Sequence, residues 1–121
     1  MKIASTELTV LHILWNESPL TIGQIIARVQ PDTGWHENTI KTLVGRLFKK
    51  DLISRKKDGK QFFYSPLIEK NVVISDASES LLSRFFGGKL SPLVAHFAKA
   101  KKLSAKEIAE IEAILNEMKN D

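Results

Sequence analysis

The chain has 121 residues, of which 43% are hydrophobic and 26% are charged, a composition typical of one folded domain or a small domain with an appendage. It contains no cysteine, which excludes disulfides, thiol catalysis and thiolate metal sites. No apolar run approaches the ~18 residues that a bilayer span requires, and the first residues lack the apolar segment of a signal peptide. We therefore expect a cytoplasmic protein, with no cofactor and no bound metal.

Two short helices are predicted at the start of the chain. The first begins at Ser5 or Thr6, either of which can cap it, and runs to about Asn16. The second opens with Thr21-Ile-Gly-Gln24, a capping box in which each side chain accepts from the other residue's backbone N–H. We expect Gln30-Pro31 to end it, because proline has no N–H to donate.

A third helix is predicted at about residues 37–50. One stripe is apolar and must be buried, and it consists of Ile40, Leu43, Val44, Leu47 and Phe48. The opposite face has no acidic residue and carries Asn38, Thr39, Thr42, Gly45, Arg46 and Lys49. An ordinary solvated helix would show the same face, so the rest of the chain must decide its role.

After this helix the apolar period changes to about two, which predicts a β-hairpin. Leu52–Lys57 and Lys60–Tyr64 flank Asp58-Gly59, and Asp-Gly favours a type I′ turn with positive φ at both central positions. Ser65-Pro66 closes the hairpin, because proline cannot continue the hydrogen-bond ladder. We expect Lys57 and Lys60 to be exposed at its tip.

Positive charge is concentrated in these two elements. Residues 36–60 hold eight basic and three acidic side chains, a net charge of +5, whereas the rest of the chain sums to −1. Such clustering is expected of a polyanion binder, although a solubilising patch would look similar. Three helices followed by a basic hairpin predict a winged helix-turn-helix, with the third helix in a DNA major groove and the wing (52–66) on phosphates.

The predicted fold is mainly α with a small antiparallel β wing. The DNA-binding residues that we expect are Asn38, Thr39, Lys41, Thr42, Arg46, Lys49, Lys56, Lys57 and Lys60. Arg46 is expected to contact a base or a phosphate, whereas Thr39 and Thr42 suit backbone or thymine contact. The wing lysines suit phosphate.

Residues 68–121 predict three further helices, after a DNA-binding domain at residues 1–67. The first of them, Asn71–Phe86, is stopped by Gly87-Gly88, the second begins near Ser91-Pro92, and the third opens with the capping box Ser104-Ala-Lys-Glu107. Apolar helices this short make a poor core alone, so we expect a homodimer. The predicted dimerisation residues are Phe85, Leu93, Val94, Phe97, Ile108, Ile111, Leu115 and Met118.

Three alternatives are open at this point. The C-terminal helices could instead fold back on the chain's own N-terminal domain. An enzyme would need His12, His36 or His96 as its base, but they lie on separate helices without a nucleophile at useful spacing. A winged helix that binds only proteins would not need a basic third helix and wing, which this chain has.

Several motifs in register resemble the BlaI, MecI and CopY family of bacterial repressors. Residues 35–50 resemble the family pattern Trp-x-x-x-Thr-(Val/Ile)-x-Thr-Leu-x-x-Arg-Leu-x-Lys-Lys, and Ile13-Leu-Trp15, residues 57–66 and residues 103–115 are also similar. The resemblance implies a homodimeric transcriptional repressor that binds an inverted-repeat operator until a signal releases it. Such a repressor would be associated with the nucleoid. Thr39, Thr42 and Arg46 match recognition-helix positions of the family.

Two departures from the family pattern narrow the inducing signal. The copper branch holds metal through C-terminal Cys-x-Cys motifs, so the absence of cysteine excludes copper sensing by that route. In the β-lactam branch, the resemblance implies a membrane sensor-protease as partner and cleavage at an Asn-Phe bond. His96 replaces that asparagine here, which makes His96–Phe97 the candidate bond.

Overall fold

A computed structural model describes residues 2–121, which form six helices and three short strands. The helices are α1 (Ser5–Asn16), α2 (Ile22–Thr33), α3 (Glu37–Lys49), α4 (Lys70–Phe85), α5 (Ser91–Lys99) and α6 (Ala105–Lys119); the strands are β1 (Leu20–Thr21), β2 (Ile53–Asp58) and β3 (Gln61–Pro66). A mainly helical chain with a small antiparallel sheet confirms the predicted fold class.

Contacts divide the chain into two compact units, the first ending at Asp76 and the second spanning Ala77–Asp121. The division after residue 67 that the sequence indicated stays a prediction. No helix within residues 2–121 is both long enough and apolar enough to cross a membrane.

The core of the first unit joins α1, α2, α3 and the start of the hairpin. Its buried apolar side chains are Val10, Leu11, Leu14, Leu20, Ile25, Val29, Ile40, Leu43, Val44, Leu47, Leu52 and Ile53. Four of the five predicted stripe residues of α3 are among them, and the fifth, Phe48, is partly buried against the cluster. This packing leaves the opposite face of α3 exposed.

Both predictions about the ends of α1 and α2 need correction. The N-cap of α1 is Ala4, not Ser5 or Thr6, and its backbone N–H donates to Glu7 Oε1 at 2.8 Å. Helix α2 continues past Pro31 to Thr33, because a proline in the last turn removes one donor only. Gly34 then ends the helix with a left-handed φ of 68°, and its N–H donates to the Gln30 carbonyl at 2.9 Å.

The sheet has the strand order β1-β3-β2, with both pairs antiparallel. β1 was not predicted, since two residues are too few for a periodic signal. The hairpin turn lies one residue later than predicted, because Asp58 pairs with Gln61 and the central residues are Gly59 and Lys60. Only Gly59 has a positive φ, 65°, which fits a type II′ turn and not the predicted type I′.

Helices α4, α5 and α6 contain no buried residue. As predicted, Gly87 and Gly88 follow α4 with φ of 61° and 80°, and the Gly88 N–H donates to the Leu82 carbonyl at 2.8 Å. Ser104 caps α6 and accepts from the Glu107 N–H at 3.1 Å. These helices are regular locally, but their apolar side chains are at most half-buried.

Candidate nucleic-acid interface

The start of α3 is fixed by a histidine cap. His36 has extended backbone angles, and its Nδ1 accepts from the Asn38 N–H at 3.0 Å, which satisfies one of the free donors of the first turn. On the preceding turn, Gln30 Nε2 donates to the Trp35 carbonyl at 3.2 Å. The cap therefore holds Asn38 and Thr39 in the first turn of the helix, on its exposed side.

A shallow groove runs along the exposed face of α3. Its volume is about 340 Å³, and it is lined by Asn38, Thr39, Thr42, Leu43 and Arg46. The structure thus brings four of the predicted DNA-binding side chains together around one depression. The Thr42 hydroxyl donates to the Asn38 carbonyl at 2.8 Å, so its hydrogen is committed to the helix while its oxygen can still accept.

Lys41 and Lys49 are exposed beside this groove. Lys41 Nζ lies 3.4 Å from a carboxylate oxygen of Glu37, one helical turn earlier, and both side chains are about half exposed. Such exposed pairs contribute little to stability. The Lys41 ammonium therefore remains available to a stronger anion.

The C-terminal end of α3 is tied to α1 through Glu7, which sequence reasoning missed. Lys50 Nζ lies 2.7 Å from Glu7 Oε1 and 3.1 Å from the Lys2 carbonyl. Glu7 is only 1% exposed, and its Oε2 has no hydrogen-bond partner among the described residues. Lys50 is consequently paired with a buried carboxylate, whereas the partner of Lys41 is exposed.

Two opposing effects act on the pKa of Glu7. Burial raises the pKa, whereas hydrogen bonds from Lys50 and the Ala4 N–H, together with the charges of Lys50 and Arg46, lower it by more. The net pKa lies below its ordinary value of 4.5. Glu7 is therefore ionised at neutral pH, and its charge helps to hold α3 in place.

The wing separates two lysines that the sequence had grouped. Strand register pairs Lys56 with Phe63 and Lys57 with Phe62, and successive side chains of a strand point to opposite faces. Lys56 and Lys57 both border a groove of about 650 Å³ beside Phe63, but by the alternation along the strand the Lys57 side chain belongs to the face of Arg55. Lys60 occupies the turn itself.

Arg55, which was not among the predicted site residues, bridges the wing and α3. Its guanidinium carbon lies 4.2 Å from the ring centroid of Phe48 and 4.3 Å from that of Phe62. Both distances are within the range of cation–π contacts. The predicted turn would have placed Arg55 directly opposite Phe62, so strand register could have indicated that contact, but nothing in the pattern indicated the contact with Phe48 on another element.

A helix that buries one stripe and exposes a polar, basic face beside a basic hairpin defines a winged-helix nucleic-acid-binding protein. Comparison with known proteins gives the same class and a family. The sequence model of the penicillinase repressor family matches residues 3–117, so the chain belongs to the penicillinase repressor family. This finding confirms the resemblance to BlaI and MecI.

Similar proteins span almost the whole chain. The penicillinase repressor of Bacillus licheniformis is 34% identical over 119 residues, which is 98% of this chain and 93% of that protein. The methicillin resistance regulatory protein MecI of Staphylococcus aureus strain N315 is 36% identical over 115 residues, 95% of this chain and 94% of its own length.

A solved structure matches more than half of the chain. The solution structure of the monomeric form of Bacillus licheniformis BlaI, in complex with the blaP half-operator, has a TM-score of 0.53 and 30% identity. The match covers 59% of this chain and 87% of that chain. The predicted winged-helix fold is thereby confirmed.

Proposed function

We propose that this DNA-binding transcriptional repressor acts as a homodimer on an inverted-repeat operator, with α3 in the major groove and the wing on phosphates. The main support for this proposal is the groove on the exposed face of α3, which is lined by one arginine, one asparagine and two threonines. The similar BlaI structure is a complex with a half-operator, which supports duplex DNA as the ligand.

The side chains of the α3 groove suit reading bases and backbone together. A guanidinium such as that of Arg46 can donate two parallel hydrogen bonds to the O6 and N7 atoms of guanine. Asn38 lies at the start of the helix, and Thr39 and Thr42 are short enough to reach a phosphate or a thymine methyl group. Lys41 and Lys49 flank the groove and suit the phosphates on either side.

The wing supplies positive charge for phosphates but does not recognise the base sequence. Lys57 lies on the same face of the hairpin as Arg55 but closer to the tip, and Lys60 lies in the turn. We assign phosphate contacts to both. Lys56 lies on the opposite face, and we expect a smaller contribution from it. Lysine is a flexible point charge, which fits contacts that position the protein on any sequence.

Dimerisation is proposed through the helices of the second unit. The predicted residues of this surface are mostly exposed in the single chain, from 36% for Val94 to 68% for Met118. Leu93 and Ile111 are half-buried. Water-exposed apolar side chains at helical spacing favour an isologous pairing with a second copy, since large exposed patches mark interaction surfaces.

Release by proteolysis remains a prediction for this chain. The candidate bond, His96–Phe97, lies inside α5, where the His96 ring is 5.6 Å from that of Phe97 and 6.3 Å from that of Phe86. A protease binds an extended segment, so cleavage there requires α5 to unwind first. We propose a cytoplasmic, nucleoid-associated repressor with a membrane sensor-protease as the candidate partner.

The test of DNA binding compares Arg46→Ala with Lys57→Ala. The operator is first selected from random duplexes, and affinity is then measured over a range of salt concentrations. Arg46→Ala should cost about 1–3 kcal/mol on the operator and relax specificity at one base pair of each half-site. Lys57→Ala should weaken all sequences alike and lower the salt slope by about 0.9 for each lost phosphate contact.

Lys106→Ala on α6 is the matched control, because it removes one exposed positive charge outside α3 and the wing. It should leave both affinity and slope unchanged. Reversed behaviour of the Arg46 and Lys57 variants would contradict their assignments. If the unaltered protein bound no random duplex at low ionic strength, DNA binding itself would be refuted.

A further inference from the structure

We propose that Arg55 is a positioning residue, which fixes the wing against the recognition helix and thereby places Lys57 on the DNA. The inference rests on the DNA binding proposed above. It assigns a role to a basic side chain that the α3 groove and the phosphate contacts leave unused. The role depends on the planar shape of the guanidinium as well as on its charge.

One guanidinium connects three elements of the first unit. Arg55 belongs to β2 and pairs with Tyr64 of β3. Its guanidinium carbon lies 4.2 Å from the Phe48 ring centroid on α3 and 4.3 Å from the Phe62 ring centroid on β3. A planar cation between two rings constrains both the distance and the tilt of the hairpin relative to α3.

The hairpin needs such a constraint because its own burial is small. Ile53 is the only buried residue of β2, and the strand is exposed from Arg55 to Asp58. Phe62 is 39% exposed. β1 pairs only with Phe63 and Tyr64, so the outer part of the hairpin has two strands and little packing, an arrangement that is marginally stable by itself. The contact with Phe48, which packs on the core, therefore fixes this outer part of the wing.

The position of Lys57 follows from that of Arg55. The two residues share one face of β2, and Lys57 lies one pleat closer to the turn. If the hairpin tilts, the Lys57 ammonium moves relative to the α3 groove, and helix and wing can no longer contact the same duplex in register. Lysine in place of Arg55 keeps the charge but has no planar faces to stack on two rings.

The experiment measures operator affinity and salt slope for Arg55→Lys, Arg55→Met and Phe62→Leu. Arg55→Lys should weaken binding by about three- to tenfold, the scale of one or two exposed cation–π contacts, and should lower the salt slope by about 0.9, because the displaced wing loses the phosphate contact of Lys57. Phe62→Leu should have a similar effect. The double variant Arg55→Lys/Phe62→Leu should be no weaker than the weaker single variant, because both remove the same contact.

A second comparison separates positioning from simple stabilisation. Lys57→Ala lowers the salt slope in the native background, but it should have little further effect once Arg55→Lys has displaced the wing. Lys56→Ala, on the other face of the hairpin, is the control, and its effect should be equal in both backgrounds. Thermal unfolding of each variant shows that the first unit remains folded at the temperature of the measurement.

The possible results are distinct. If Arg55→Lys binds as tightly as the native protein while Arg55→Met lowers the salt slope by about 0.9, Arg55 contacts a phosphate and the positioning role is wrong. Additive effects of Arg55→Lys and Lys57→Ala would also overturn it. Failure of the native protein to bind DNA would refute the proposed function, a result that precedes any comparison of the variants.

Discussion

The two compact units of the chain differ in where their apolar side chains lie. Among residues 2–121, all twelve buried hydrophobic residues belong to the first unit, whereas nine of the thirteen large hydrophobic residues that are exposed belong to the second. The same sequence pattern, apolar residues at helical spacing, therefore forms a buried core in the first unit and a solvent-exposed apolar surface in the second. The first unit has an apolar core of its own, whereas the second has none, and this difference is the basis of the proposed dimer.

The largest expected effect follows from adding charge to the open surface. Ile111→Glu/Leu115→Glu should give monomers, because burying unpaired carboxylates in an apolar interface is costly. Loss of linkage between two half-sites should then weaken operator binding by about 10²–10⁴-fold. Sedimentation and binding isotherms measure the two effects.

Ala109→Glu/Ala113→Glu is the matched control for this pair. It adds the same charges to α6, but on the side of the helix away from Ile111. These variants should remain dimeric. Dimers of the first double variant would show that the interface lies elsewhere.

The next effect contrasts one leucine from each unit. Leu47 is fully buried and Leu115 is 49% exposed in the single chain. Leu47→Ala should lower the free energy of unfolding of the first unit by about 2–5 kcal/mol at any protein concentration. Leu115→Ala should lower the free energy of unfolding only at concentrations where dimers form, so its effect should depend on protein concentration.

Unfolding at two protein concentrations tests this contrast. An equal effect of Leu115→Ala at both would mean that the leucine packs within its own chain. In that case the alternative in which the C-terminal helices fold back would gain support.

The sequence predicted what local patterns encode. The 3.6-residue stripe of α3 identified its buried and exposed faces, and Asp58-Gly59 identified the hairpin to within one residue. The end of α2 was predicted wrongly because Pro31 is a strong local signal, while the bond from Gly34 to Gln30 that closes the helix is not visible in a pattern.

Contacts distant in sequence could not be predicted. Glu7 and Lys50 are 43 residues apart, and no motif indicates that their charges meet. The role of Arg55 required the position of Phe48 on another element, which no strand register gives. The exposed face of the site was therefore predictable from sequence, but the contacts that hold this face in place were not.

A buried charge also distinguishes the first unit, since Glu7 is the one charged side chain that is buried among the described residues. Its pKa is lower in the folded chain than 4.5, so the unfolded chain binds protons first as the pH falls. The stability that Glu7 contributes is fully present above pH 4.5 and is lost as the pH falls through the folded pKa. Acid should therefore destabilise the first unit.

Glu7→Ala and Glu7→Gln measure this contribution. Glu7→Ala should cost roughly 1–3 kcal/mol at neutral pH, because the Ala4 N–H loses its acceptor and Lys50 its partner. Glu7→Gln keeps an acceptor but does not titrate, so its stability should fall less steeply between pH 5 and pH 3. An unchanged acid profile would show that other carboxyls dominate acid unfolding.

The smallest expected effect compares one helix cap in each unit. His36 caps α3, which four buried apolar residues hold to the core, and Ser104 caps α6, which has none. Replacing either by alanine should cost about 1 kcal/mol per chain. His36→Ala should lower the melting temperature of the first unit and leave the dimer dissociation constant unchanged, whereas His36→Ser should restore the cap.

Ser104→Ala should instead act on dimerisation, if the second unit is stable only when paired. The cap is then lost in both chains of each dimer, so the dissociation constant should rise by roughly tenfold or more. Sedimentation at several concentrations gives this constant, and amide exchange at Glu107 reports the cap directly. An unchanged dissociation constant together with faster exchange at Glu107 would mean that α6 is folded without its partner, and the contrast between the two units would be smaller than their burial indicates.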